Sequence, residues 1–124
     1  PAQARGRVRA ALDRFPHGQP PQAMQVRLLA LLARAELRLG ETASAQSHAE
    51  QALNDARLAA GEISYTEGHG LALLAMGLVR QAQGDLQSAR STWRDSEVQL
   101  RQSLGDGAPA TLEARRLLQT LAKR

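Results

Sequence analysis

The sequence predicts an all-α fold, built as a stack of antiparallel helix hairpins with about six helices. The first observation is a repeat: Gly40 and Gly84 lie 44 residues apart, and so do Gly61 and Gly105. The second is composition: aromatic residues make up 2% of the 124 residues, so Leu, Ala and Val must form the core. A fixed period between about 20 and 50 residues is typical of stacked helical hairpins.

The apolar residues follow the same register. A shift of 44 residues superimposes Leu29 and Leu73, Leu32 and Met76, Ala33 and Gly77, and Ala45 and Ala89. A further step places Leu73 on Leu117 and Leu74 on Leu118. Coincidence in a chain rich in Leu and Ala is the alternative. The joint agreement of turn glycines and small residues favours the repeat.

Residues 3–15 have helical spacing, and by register they form the second helix of a truncated repeat. The apolar residues on one stripe of this helix are Val8, Ala11, Leu12 and Phe15. The Pro- and Gly-rich segment 16–21 ends it, because proline cannot continue a helix. His17, within that segment, is interpreted as a solvated loop residue rather than a ligand.

Residues 22–60 are predicted as repeat one. Its first helix covers 22–39 and ends at Gly40, and its second begins at residue 41 or 42 and continues to about residue 60. The inward face of the second helix is a stripe of alanines at positions 45, 49, 52 and 56, which lets helix axes approach closely. His48 lies off that stripe and is predicted to be exposed.

Residues 66–104 are predicted as repeat two. Its first helix is apolar on every side over 71–79, so it must be covered on more than one side. Gly77 costs about 1 kcal/mol relative to Ala inside a helix. Such a glycine indicates the close approach of another backbone. The Gly-His-Gly segment 68–70 could bind an anion at a helix start, but a frayed helix start is the preferred interpretation.

The second helix of repeat two covers 85–104, with Asp85 as its N-cap. Its predicted inward stripe consists of Leu86, Ala89, Trp93, Ser96 and Leu100. Trp93 is interpreted as a core residue rather than a binding platform. Residues 109–124 form the last helix, which has Pro109 in its first turn and is predicted to cap the stack.

These positions resemble the tetratricopeptide repeat, in which a large residue, a small residue four later, a turn glycine and small residues of the second helix recur. The matching residues are Leu29, Ala33, Gly40, Ala45, Ala49 and Ala52 in repeat one, and Leu73, Gly77, Gly84, Ala89, Trp93 and Ser96 in repeat two. The usual period is about 34 residues, so the chain is more similar to the long-repeat variety of kinesin light chains and bacterial multidomain regulators. Glu36 and Arg80 depart from the family, where an aromatic residue is usual.

The resemblance implies one right-handed superhelical domain over residues 1–124, with a concave face that binds a protein partner. The positions that would line this groove are Arg27, Leu31, Arg34, Arg38, Ala75, Leu78, Gln81, Arg115 and Gln119. Arg27, Arg34 and Arg38 are 7 and 4 residues apart and share one helical face. They predict binding of an acidic or C-terminal peptide through Arg–carboxylate pairs. A solvated face without a ligand is the alternative.

Two other functions compete with this hypothesis. The net charge is +4, carried by 15 Arg and one Lys against 12 acidic residues, which raises nucleic-acid binding as a possibility. Acids and bases are evenly mixed and stacking aromatics are lacking, which disfavours it. Self-association is the second, because the exposed end of a repeat stack can pair with a copy of itself and form a homodimer.

The residues give no pattern for chemistry. There is no Cys, the three His are far apart in sequence, and no nucleophile, metal-spacing or phosphate-loop motif occurs. We therefore expect a non-enzymatic protein without cofactor or metal. No signal peptide and no stretch of about 20 apolar residues is visible, so we expect a cytoplasmic protein that does not enter a membrane. The chain opens with Pro, which indicates a fragment of a larger bacterial-type signalling or regulatory protein.

Overall fold

The computed structural model describes residues 5–6 and 22–122, and in these ranges the chain forms helices and turns but no strand. The five helices are α1 (Gln22–Arg38), α2 (Thr42–Ala60), α3 (Glu67–Ala82), α4 (Leu86–Leu104) and α5 (Pro109–Ala122). The all-α fold is confirmed. Most of the helix predicted over 3–15 lies outside the described residues, as do His17 and the last two residues of the predicted capping helix.

Each helix packs against the next one along the chain, and α1 also packs against α3. Helix α3 therefore contacts α1, α2 and α4 at once. This explains why it is apolar on every side, as the sequence predicts for a helix covered by several neighbours. Its buried residues include Ala72, Leu74, Ala75 and Val79. The first two helices form what we call the α1–α2 hairpin, and the next two form the α3–α4 hairpin.

The backbones of the two hairpins match in detail when one is shifted by 44 residues along the sequence. Helix α2 shifted by 44 residues gives the limits of α4, and both helices have 19 residues. Gly40 and Gly84 end α1 and α3 with φ of +79° and +82°, a conformation that suits glycine. The hydrogen bonds that close these turns match too: the N–H of Glu41 donates to the carbonyl of Glu36, and that of Asp85 to Arg80, each at 2.9 Å.

The buried stripes of the second helices also correspond. They are Ala45, Ala49, Ala52 and Ala56 in α2, and Ala89, Trp93, Ser96 and Leu100 in α4. Trp93 is fully buried, so its interpretation as a core residue is confirmed. Its indole N–H donates to the carbonyl of Leu74 at 3.2 Å, which satisfies a buried donor.

Gly77 lies at a close crossing, as predicted, but its neighbour is a side chain rather than a backbone. A Cβ added at Gly77 would fall on the indole ring of Trp93. Gly70 is a second crossing of the same kind: an added Cβ would lie 2.6 Å from the side chain of Leu100. The hydroxyl of Ser96 donates to the carbonyl of Gly70 at 2.7 Å, which the missing side chain permits.

The start of α3 is capped rather than frayed. Thr66 is the N-cap, and its hydroxyl accepts a hydrogen bond from the N–H of His69 at 3.1 Å. The side-chain carbonyl of Gln99 in α4 accepts from the N–H of Thr66 at 3.0 Å. Within the Gly-His-Gly segment, the N–H groups of His69 and Gly70 therefore have partners in the chain itself.

Candidate functional site

The surface shared by α1 and α3 carries a cavity of about 320 Å³, which we call the groove. It is lined by Arg34, Leu37, Arg38, Leu78, Gln81 and Ala82. Four of the residues that the resemblance implied for partner binding are among them: Arg34, Arg38, Leu78 and Gln81. The groove lies where the C-terminal half of α1 runs beside the C-terminal half of α3.

Helical spacing explains this lining. Arg34 and Arg38 are one turn apart on α1, and Leu78 and Ala82 are one turn apart on α3, so each pair projects to one side of its helix. Leu78 is partly buried against the α3–α4–α5 core cluster, which fixes the apolar wall of the groove. The groove thus joins an apolar wall to guanidinium groups.

Arg34 does not stand alone in the groove. Its Nη1 donates to Glu113 Oε1 at 3.0 Å and its Nη2 donates to Glu113 Oε2 at 2.6 Å. Paired donors of this kind form the bidentate contact that guanidinium and carboxylate groups favour. The contact joins α1 to α5, the first and last described helices, and we call it the Arg34–Glu113 pair. Both side chains are about one quarter exposed, at 26% and 27%.

The Glu113 carboxylate lies in a positively charged environment. The hydrogen bond from Arg34 is the main cause that lowers the pKa of Glu113; burial opposes it, and the charges of Arg34, Arg116 and Arg38 add to the lowering. Arg38 and Arg116 are exposed, and neither forms an ion pair with another described residue. The positive charges that act on Glu113 therefore exceed what its own carboxylate balances.

The other residues implied for the groove lie elsewhere. Arg27 pairs with Glu67 of α3 at 2.7 Å, and Leu31 is 48% exposed on the same face of α1. Neither lines the groove. Gln119 is exposed on α5, whereas Ala75 is fully buried and offers no surface.

Arg115 faces the turn between α4 and α5. Its Nη2 contacts Asp106 Oδ1 at 2.6 Å and Glu97 Oε1 at 3.3 Å. The hydrogen bond to Asp106 is the main cause that raises the pKa of Arg115. This arginine therefore ties α5 to α4 and is not part of the groove.

A buried polar pair between α1 and α2 was not found by sequence reasoning. His48 was predicted to be exposed, which is wrong: its side chain is 17% exposed, and its Nδ1 lies 2.6 Å from Glu36 Oε1. Glu36 is 1% exposed, and its Oε2 has no hydrogen-bond partner among the described residues. The departure from the family at position 36 was the available signal, since a polar residue at a core position needs a partner.

A second cavity, of about 470 Å³, lies over α3 between α2 and α4. The charged residues in its lining are Glu50, Arg57, Arg80 and Asp95. They carry two charges of each sign, so this cleft has no net preference for an anion or a cation. Of these two cavities, the groove has the clearer preference, because Arg34 and Arg38 in its lining favour an anion.

Within residues 5–6 and 22–122, no group of three or more His, Asp or Glu is placed to hold a metal ion. In the same ranges no helix is both long and apolar enough to cross a membrane. No protein-family model matches the chain, and neither a curated protein nor a solved structure matches it. What the groove binds must therefore follow from its own side chains.

Proposed function

We propose that this chain is a non-enzymatic protein-interaction module of the tetratricopeptide type, which binds an acidic peptide segment of a partner protein in the groove. The observation that carries this proposal is the placement of Arg34 and Arg38 beside the apolar wall formed by Leu37 and Leu78. In keeping with the resemblance, the parent protein would be a cytoplasmic bacterial-type regulator.

The chemistry of the groove indicates the kind of peptide. Guanidinium groups pair with carboxylates through fixed, two-pronged hydrogen bonds, which favours Asp, Glu or a C-terminal carboxylate over a neutral side chain. Leu37 and Leu78 offer an apolar surface within the same cavity. A peptide with an apolar residue flanked by acids would use both features.

The size of the groove sets the strength of the interaction. A cavity of about 320 Å³ is at the small end of ligand pockets, which range from about 300 to 1,000 Å³. It can bury few side chains of a peptide, so we expect a weak interaction in which the charged contacts supply the selectivity and the salt dependence. We expect a dissociation constant on the order of 10 μM at low salt, which weakens as salt screens the charges.

The test uses two fluorescein-labelled decapeptides in a Gly-Ser background, one with Asp-Leu-Asp at its centre and one with Asn-Leu-Asn. Fluorescence anisotropy measures their affinity for the protein at low and high salt. We expect the Asp peptide to bind and the Asn peptide to bind roughly thirtyfold more weakly, since each of the two carboxylate contacts contributes about 1 kcal/mol.

Arg38→Ala should weaken binding of the Asp peptide by about fivefold. Arg90→Ala is the matched control, because Arg90 is exposed on α4, away from the groove, and its loss changes the net charge equally. Equal weakening by the two variants would assign the binding to overall charge and remove the groove from the account. Tight, salt-sensitive binding of single-stranded DNA with no peptide binding would favour the nucleic-acid alternative instead.

A further inference from the structure

One arginine of the groove, Arg34, already binds a carboxylate, and this carboxylate comes from the chain itself. Glu113 meets both terminal nitrogens of Arg34, at 2.6 and 3.0 Å. This is the same two-pronged contact that an acidic residue of a bound peptide would make. Arg34 cannot offer that geometry to a ligand while Glu113 keeps it.

The contact joins parts of the chain that are far apart. Arg34 and Glu113 are separated by 79 residues and belong to α1 and α5. Helix α5 packs on α4, and its partly buried Leu117 and Leu118 share a core cluster with residues of α3 and α4. The Arg34–Glu113 pair is therefore held by the tertiary arrangement of the whole stack, rather than by local helix geometry.

The charged groups near Glu113 indicate which kind of ligand group could replace its carboxylate. The charges of Arg38 and Arg116 act on its carboxylate, while among the described residues Arg34 alone donates to it. Arg38, which lines the groove beside Arg34, can pair with an arriving carboxylate. The pair is about one quarter exposed, so water and an incoming group can reach it.

We propose that Glu113 is an internal competitor for the ligand carboxylate, so that an acidic peptide binds by displacing Glu113 from Arg34. This proposal rests on the proposed function and adds how the site is regulated. The affinity of a site that is open for only part of the time is reduced by the open fraction. A partly exposed ion pair of this kind leaves the site open roughly one fifth of the time, which costs about fivefold in affinity.

The test compares the affinity of the Asp-Leu-Asp peptide for the wild-type protein, Glu113→Gln and Glu113→Asp by anisotropy at low salt. Glu113→Gln removes the charge that holds Arg34 and should bind the peptide about fivefold more tightly. Glu113→Asp keeps the charge but has one methylene less, so it pairs less well with Arg34 and should fall between the two. Circular dichroism checks that each variant keeps its helix content.

Two controls separate release of Arg34 from a general change of charge. Glu50→Gln raises the net charge equally, and Glu50 is exposed on α2, where it accepts a hydrogen bond from Gln46. It should change the affinity less than twofold. In an Arg34→Ala background, Glu113→Gln should give no tightening beyond that of Glu50→Gln, because the pair is already absent.

The outcomes distinguish this proposal from the one it rests on. If the wild-type protein binds the Asp peptide through Arg38, but Glu113→Gln and Glu113→Asp leave the affinity unchanged, the internal competitor is refuted and the proposed function stands. If Glu113→Gln tightens binding no more than Glu50→Gln, the effect is one of charge alone and the competitor is again refuted. If no variant binds the Asp peptide at low salt, both proposals fail.

Discussion

The α1–α2 and α3–α4 hairpins have the same backbone plan but distribute the bulk of their buried side chains differently between their two helices. In the α1–α2 hairpin, Ala33 and Ala49 lie in one buried alanine-rich cluster. The positions 44 residues later are Gly77 and Trp93, and there the glycine backbone lies against the indole ring. At this crossing the first hairpin has two small side chains. The second hairpin has a glycine, which has no side chain, and the very large indole.

At a second crossing the bulk again lies on the second helix of the α3–α4 hairpin. Val26 and Ala56 share a core cluster in the α1–α2 hairpin. The corresponding residues of the α3–α4 hairpin are Gly70 and Leu100, where the bulk has moved from the first helix to the second. At this second crossing the two facing positions vary together and keep a similar total volume, a kind of substitution that a core tolerates.

Replacing Trp93 should give the largest effect. Trp93→Ala removes a fully buried indole and the donor to the Leu74 carbonyl, so we expect a loss of about 3–5 kcal/mol in the free energy of unfolding. Urea denaturation followed by circular dichroism measures it. A loss below about 1 kcal/mol would mean that this crossing does not depend on the indole.

Adding one methyl group at Gly77 should change the free energy of unfolding in opposite directions in two backgrounds. In the wild-type protein, Gly77→Ala places a Cβ on the indole and should destabilise by about 1–3 kcal/mol. In a Trp93→Ala background the space is open, and the higher helix propensity of Ala should stabilise by about 0.5–1 kcal/mol. The same sign in both backgrounds would show that Gly77 and Trp93 are not coupled.

The buried pair of the first hairpin distinguishes it from the second. His48→Ala removes the one described partner of the Glu36 carboxyl, so we expect a loss of about 1–3 kcal/mol in the free energy of unfolding. Thr92 is the residue at the corresponding position of α4, and Thr92→Ala should change stability by no more than about 0.5 kcal/mol. Equal effects in urea denaturation would contradict this difference between the hairpins.

The Arg34–Glu113 pair should give the smallest of these effects, which is measured from the pH dependence of the free energy of unfolding. Since the pKa of Glu113 in the folded protein is below its ordinary value of 4.5, the pair stabilises the fold above pH 4.5 and is lost as the pH falls through the lowered pKa. The contribution is up to about 1 kcal/mol for a partly exposed pair. Glu113→Gln should lack it, so the stability difference between wild type and Glu113→Gln should shrink as the pH falls.

His69 is a second group with a shifted pKa. It is present in both the wild type and Glu113→Gln, so its effect cancels in the difference between their free energies of unfolding. Burial is the main cause that lowers the pKa of His69, and the charge of Arg57 adds to it while that of Asp95 opposes it. Its stabilising effect is present above pH 6.5 and is lost as the pH falls through the lowered pKa. A wild-type to Glu113→Gln difference that stays constant below pH 4.5 would show that the pair does not contribute.

The helix limits and the turns at Gly40 and Gly84 were predictable because they depend on local residues. Glycine ends a helix wherever a left-handed conformation follows it, and helical spacing marks the buried stripe. The crossing at Gly77 was half predictable. The small residue at position 77 indicated a close neighbour, but the repeat could not show that this neighbour is the indole of Trp93 and not a backbone.

The groove was less predictable because it depends on how distant helices are placed. Spacing put Arg27, Arg34 and Arg38 on one face, but it could not show that two of them already bind carboxylates of other helices. Glu113 was not considered for the site, since its partner is 79 residues away. Local spacing also could not show that Arg115 turns toward Asp106 instead of the groove.

The most direct test of the proposed function is a map of backbone amide shifts by NMR as the Asp-Leu-Asp peptide is added. The largest shifts should occur at residues 34–38 of α1 and 78–82 of α3, and Arg38→Ala should reduce them. Shifts concentrated on α2 and α4 over the second cavity, or no shifts at low salt, would contradict the assignment of the groove as the binding site.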